Sequence, residues 1–401
     1  MGAHTRCVSS LPDHPTASPF KTGRIARISG RLVNVPGRRW WIVAAVLVGL
    51  VLFVAGRGDL ARMGRSFLAA DWRWAAVALG LLLLCLLLHS LALTLIIRAY
   101  GDVRPRLRDA FSSTSIGLLA NAIVPVRVGG LLNPYVLFLL LRRRGALVPF
   151  ATTLGMTVTE QLFSAATFVL LGLGFVSTVA APSWALPALI TCGVLLALGL
   201  GGASWLQTYR RRHPANPFLS SAAADGAAGA SSATAAPVHS GWRGALRGIA
   251  PHFLDSQRIL ARPLSALALA GVQVLAWFVQ LAAAFAVLHA FHLGGAGWRA
   301  AVLVIVLTNL IGIMPLTPGN VGTFQVAAAA ALAAYGVPAG PALAFALGLQ
   351  AMQLLVAIVA GLLSLSLQDL TLAEMAAKSR HATAMLRRGE PVPPPVDSPA
   401  G

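Results

Sequence analysis

Two turns rich in proline and glycine interrupt apolar stretches of this 401-residue chain. The first reads Asn121-Ala-Ile-Val-Pro125-Val-Arg127-Val-Gly129-Gly130, and the second Met314-Pro315-Leu-Thr-Pro318-Gly319-Asn-Val-Gly322-Thr. Arg127 is the one basic residue inside either turn, and Glu160 is the only acidic residue between Asp109 and Asp225. An ionisable group at membrane depth is a functional candidate by default. Arg127 suits a phosphate or a carboxylate; its structural alternative is to pair with Glu160 or to cap carbonyls. A lone buried carboxylate is costly unless paired or protonated. Glu160 therefore pairs with Arg127, meets a cationic headgroup, or carries a coupling proton.

The turns have chemistry of their own. A helix that starts after a break presents unpaired N–H groups and about half a positive charge, which attracts an anionic group such as a lipid phosphate. Gly129, Gly130, Gly319 and Gly322 let backbone approach a ligand without an intervening Cβ, or simply permit the tight turn. Pro125, Pro315 and Pro318 break the helices. Asn121, Asn133, Asn309, Gln325, Gln350 and Gln353 are amides that could line one cavity or act as glue between helices.

Enzymatic signatures are missing from the sequence. No His-Glu-x-x-His, Asp-x-Asp, Gly-x-Ser-x-Gly or phosphate-loop pattern occurs. Cys7, Cys85 and Cys192 lack metal or redox spacing. His289 and His292, three apart at the end of a span, read as interfacial residues. The expectation is a non-enzyme without metal or cofactor.

The elements that position these residues follow from composition. The chain is 57% hydrophobic and 11% charged, against about 25% charged in a soluble domain. Six full spans are predicted at 40–55, 74–97, 146–176, 184–206, 263–290 and 341–367. Four shorter stretches, 110–126, 131–141, 298–314 and 321–336, flank the two turns. At 1.5 Å per residue, 17 residues reach roughly 25 Å, short of a hydrocarbon core of about 30 Å. Each pair reads as a re-entrant helical hairpin, one over 110–141 and one over 298–336. The fold class is an all-α polytopic membrane protein with two such hairpins in inverted repeat.

A net charge of +19 could suggest nucleic acid, but the cations cluster at span ends, as the positive-inside rule expects. With the N-terminus in the cytoplasm, 25 of 31 Lys and Arg fall in inside segments and five in outside loops. Four of those five lie in 57–73, where 60–74 is expected to lie flat at the interface. The first hairpin then opens to the cytoplasm and the second to the outside. Residues 1–39 read as an uncleaved basic cytoplasmic tail, 40–206 as the first half, 207–262 as a flexible linker, 263–367 as the second half and 368–401 as a disordered tail.

The turns resemble those of the transmembrane domain of lysylphosphatidylglycerol synthases, a flippase-like integral membrane family. Its first motif, Pro-x-Arg-x-Gly-Glu-x-x-Arg, stands here as Pro125-Val-Arg127-Val-Gly129-Gly130-Leu-Leu-Asn133. Its second, Pro-x-x-Pro-Gly-x-x-Gly-x-x-Glu, stands as Pro315-Leu-Thr-Pro318-Gly319-Asn-Val-Gly322-Thr-Phe-Gln325. A third, Glu-Arg-x-x-Asp, stands as Glu160-Gln161-Leu-Phe-Ser164, and Tyr335-Gly336-Val337 also matches. The resemblance spans 40–367 and implies movement of a phospho- or glycolipid headgroup between leaflets of a bacterial inner membrane. Gly130, Asn133, Gln161, Ser164 and Gln325 stand where the family usually has charge, which implies a less charged or different lipid. The aminoacyl-transferase domain of full synthases is expected to be absent. Membrane lipids are the expected partners, with a lipid-synthesising enzyme as a candidate and no nucleic acid. The rival readings are a proton-coupled small-solute transporter, a non-catalytic partner of a lipid or glycan synthase, and a membrane-embedded transferase, for which the membrane region offers only Glu160 as a carboxylate.

Overall fold

Apolar segments in lipid must satisfy their own backbone, so they become helices. The computed structural model describes residues 64–101, 105–123, 129–146, 148–212, 259, 262–312, 320 and 322–368, all within one compact unit spanning Trp40–Gly401. Among the described residues the long helices are α1 (Trp72–Tyr100), α2 (Leu107–Ile123), α3 (Gly129–Arg143), α4 (Phe150–Val176), α5 (Ala185–Arg212), α6 (Pro263–Ala290), α7 (Gly297–Gly312), α8 (Thr323–Ala333) and α9 (Ala339–Leu367). The expected span 40–55, both chain ends and most of the linker lie outside the described residues.

Four expected spans correspond to helices long and apolar enough to cross a membrane: α1, α4, α6 and α9. A fifth such stretch, Gly294–Gly312, joins a 3₁₀ turn at Gly294–Ala296 to α7. This first arm of the second hairpin is thus 19 residues long, longer than the sequence reading allowed, because the helical path starts before Trp298. Its second arm, α8, has only 11 residues, about 16 Å. α5 extends for 28 residues, with its apolar stretch over Ala185–Gly199.

Of the stretch 60–74, residues 60–63 lie outside the described residues, 64–68 are helical, and the helix breaks at 69–71 before α1 begins. Asp71 ends it: Arg73 N–H donates to Asp71 Oδ1 at 2.9 Å, an N-cap that starts α1 at Trp72. Asp71 N–H in turn donates to Ala290 O at 2.8 Å, tying the start of α1 to the end of α6. Farther along, Cys85 Sγ lies 3.6 Å from Ala276 O. The two contacts make α1 and α6 an antiparallel pair.

The fold repeats. α1, α2, α3 and α4 restart as α6, α7, α8 and α9 after 189 to 194 residues. Both hairpins end in the same turn. Gly145 has φ +77° and Gly336 φ +75°, a backbone region that favours glycine. The next residue closes a six-residue ring in each case, Ala146 N–H to Leu141 O at 3.1 Å and Val337 N–H to Leu332 O at 3.2 Å, the Schellman arrangement. A proline then starts the following long helix: Pro149 before α4, with ψ 149°, and Pro338 before α9, with ψ 151°. This shifts the expected start of the third span from Ala146 to Phe150.

Helix α9 fixes the hairpins relative to each other. At its C-terminal end, Arg108 Nη2 donates to Leu367 O and Arg143 Nη1 to Gln368 O, both at 2.8 Å, so the open end of the α2–α3 hairpin is clamped there. Cations suit a helix C-terminus. Six residues back, Gly361 admits α2: a Cβ would stand 2.5 Å from Leu119 Cβ and 3.0 Å from Ser115 O. The α7–α8 hairpin packs on the other end, with Gln325 of α8 bonded to Gln350 of α9. From Leu119 to the end of α2 remain four residues, about 6 Å, and from Gln325 to the start of α8 two, about 3 Å. Both inner ends therefore fall beside the stretch 350–361 of α9, a 29-residue helix whose midpoint is Gln353. The outer surface is apolar, as lipid requires: Leu170, Leu195, Leu198, Leu264 and Leu267 are all exposed.

Candidate functional site

Pro125, Arg127, Pro315, Pro318 and Gly319 lie outside the described residues. Gly129 and Gly130 open α3, and Gly130 is exposed. Pro134 sits inside α3 and has no N–H to offer the Gly130 carbonyl, so that oxygen lacks its helical partner near the inner end of the hairpin. Asn121 is exposed in the last turn of α2. Asn133 is bound across the hairpin, accepting from the buried Ser113 hydroxyl at both its side-chain and main-chain oxygens.

At the second hairpin, Gly322 takes φ +90° as the N-cap of α8. Its N–H donates to Gln325 Oε1 at 2.6 Å. The Gln325 amide nitrogen donates to Gln350 Oε1, and both glutamines are buried. One donor at this helix entrance is thus satisfied by the protein itself rather than held open for an anion. A carboxylate at position 325 could accept from Gly322 but could not donate to Gln350; the amide does both. Asn309 turns back on its own helix, donating to Ile305 O at 2.9 Å. Asn133, Gln325 and Asn309 thus have different partners, on α2, α9 and their own helix respectively.

Glu160 has partners that sequence reasoning missed. His89 Nδ1 of α1 lies 2.9 Å from Glu160 Oε1, and Gln273 Nε2 of α6 donates to the same oxygen at 2.9 Å. Three helices meet at one carboxylate oxygen, leaving Oε2 for other partners. Gln273 is fully buried and its own Oε1 has no partner, while the His89 and Glu160 side chains retain 24% and 15% exposure. The signal was present in the sequence: His89 is an ionisable residue in the middle of an apolar span. His289 and His292 prove to be packing groups, His289 stacked on Trp74 at 4.7 Å and His292 bonded to Ala69 O at 2.8 Å.

α4 and α6 run parallel from this cluster. Glu160 meets Gln273, and one turn on Trp277 Nε1 donates to Ser164 O at 3.0 Å. Next, Phe168 packs on Trp277 with ring centroids 5.0 Å apart. Beyond it opens an apolar crevice between α4, α6 and α7, lined by Phe168, Gly172, Phe175, Leu281 and Val306. Phe168 is eight residues from Glu160, about 12 Å along the helix. Polar cluster and apolar crevice thus share one interhelical groove.

A second ion pair closes the base of the first hairpin: Arg144 Nη2 donates to Asp109 Oδ1 at 2.9 Å, with Asp109 almost wholly buried. Among the described residues no group of three His, Cys, Asp or Glu could hold a metal ion.

No curated protein and no solved structure matches the chain. The family model for the lysylphosphatidylglycerol synthase TM region matches residues 40–361. With two turns in the family's motif positions and apolar helices throughout, this chain is an all-α multi-pass membrane protein that belongs to the lysylphosphatidylglycerol synthase transmembrane-region family.

Proposed function

We propose that this protein carries a lipid headgroup between the leaflets of a bacterial inner membrane, with both chain ends in the cytoplasm. The observation that carries the reading is the placement of two helical hairpins along opposite ends of α9, their inner ends converging on its middle. If α9 spans the bilayer, the inner ends of α2, α3 and α8 lie near mid-depth, as re-entrant hairpins require. Non-helical backbone there is tolerated only where protein buries it or a polar cavity lines it, and paired breaks in two inverted repeats mark a transport site.

The groove between α4 and α6 favours a lipid over a soluble solute. A headgroup bound at Glu160 would leave its tail beside the apolar crevice, roughly 12 Å along the same face. The Gly130 carbonyl supplies a further polar contact near the inner end of the first hairpin. The headgroup carries little charge, because Asn133 and Gln325 hold neutral partners where the family has charge. Membrane lipid is the partner and no covalent step is assigned.

Purified protein in vesicles containing a fluorescent lipid, with one leaflet quenched by dithionite, tests this. Phospholipid, glycolipid and polyprenyl-phosphate probes should show at least one accelerated above protein-free vesicles. Equal rates for every probe would defeat the proposal.

A further inference from the structure

The ion pair between α1 and α4 contacts both repeats: His89 and Glu160 belong to the first, and Gln273 to the second. We infer that His89 and Glu160 form a proton-carrying site that couples lipid movement to a proton gradient, an inference that rests on the transport reading for what is moved. Imidazole and carboxylate are the side chains that exchange protons most readily in membrane relays. At 2.9 Å, a proton on Nδ1 would be donated to Oε1. Gln273 Nε2 can only donate, so it favours the ionised carboxylate. In that state three helices are held by charge-assisted bonds, roughly twice as strong as neutral ones. A further proton on the carboxylate, reaching it at Oε2, leaves both donors facing a neutral acid. The tie between α4 and α6, and so between the repeats, weakens. Loss of that proton to the other side restores it. His89 and Glu160 are partly exposed and Gln273 is fully buried; in this cycle the pair exchanges the proton and the buried amide anchors it.

Few other groups titrate nearby. On α1, Cys85 lies one turn from His89 and its Sγ faces Ala276 O of α6. α2, packed on α1, carries Asp109, already paired with Arg144. α3, packed on α4, carries Tyr135, stacked among Phe138 and Phe150, and arginines at its end. α9 contributes no titratable side chain; α5 carries Cys192 and, at its C-terminal end, Tyr209 and Arg210 to Arg212; α6 carries His289 in its last turn and α7 Arg299 at its outer end.

The full chain, reconstituted in phosphatidylethanolamine–phosphatidylglycerol vesicles with each of the three fluorescent probes named above, provides the test. A gradient of one pH unit, about a tenfold difference in proton activity, should change the rate of lipid movement by about threefold or more, and a protonophore should abolish the change. Glu160→Gln and His89→Gln should each bring the ratio of rates with and without gradient to one. Infrared difference spectra of the wild type across the same pH range should show a carboxylic C=O band that Glu160→Gln lacks. Lipid movement indifferent to the gradient, or a wild-type spectrum without that band, would reduce the pair to a structural tie and leave transport standing. A titrating band in a protein that moves no probe lipid would sink the transport reading and keep the proton site. If the variants do not fold, the wild-type gradient response and spectrum decide.

Discussion

Glu160 and Gln350 stand at equivalent places in the two repeats, 190 residues apart, each near the twelfth residue of the long helix that follows a hairpin. Each is the polar node of its own half. Glu160 reaches helices α1 and α6, whereas Gln350 accepts from Gln325 of the adjoining hairpin. The repeat is symmetric in backbone and asymmetric in charge, a carboxyl group standing at one node and an amide at the other.

The Gln325 amide serves as acceptor and donor at once. Gln325→Leu should remove the acceptor of the Gly322 N–H and the bond to Gln350, and lower stability by about 1–3 kcal/mol. Gln325→Glu should be much milder, because Gln350 can rotate its amide to donate to the carboxylate. Thermal unfolding in detergent compares the two; equal losses would show that the amide network is incidental.

Gly361 sets the approach of α2 to α9. Gly361→Val should force the helices apart and cost about 1–3 kcal/mol, as overpacking does. Gly80→Ala, where nothing lies within 4 Å of an added Cβ, is the matched control and should be neutral or slightly stabilising. Unfolding midpoints for both check the claim.

Asp109 is buried and paired with Arg144 at the mouth of the first hairpin. Arg144→Met should cost about 3–5 kcal/mol, because a carboxylate is left buried without its partner. Adding Asp109→Asn should recover much of that loss. A double-mutant cycle on unfolding midpoints measures the coupling, and additive effects would contradict the pairing.

Much of this architecture was legible from local chemistry. Prolines and glycines can be read residue by residue, so both turns stood out. The short arms followed from length alone, except that the 3₁₀ turn at Gly294–Ala296 lengthened one of them. Contacts at long range were not legible. His89 and Gln273 lie 71 and 113 residues from Glu160, and Leu- and Ala-rich spans have no polar face to reveal how each helix is rotated. The Gln325–Gln350 bond was hidden for the same reason: either amide could equally have faced a cavity.

The most direct measurement of the central claim is sidedness. Single cysteines at Leu107, at the mouth of the first hairpin, and at Ala334, at the mouth of the second, both exposed, would be introduced after Cys7, Cys85 and Cys192 are replaced. In sealed inner-membrane vesicles of known orientation, a membrane-impermeant maleimide should reach position 107 only from the cytoplasmic face and position 334 only from the opposite face. Labelling of both from one face would contradict two hairpins entering from opposite sides, and with it the transport site between them.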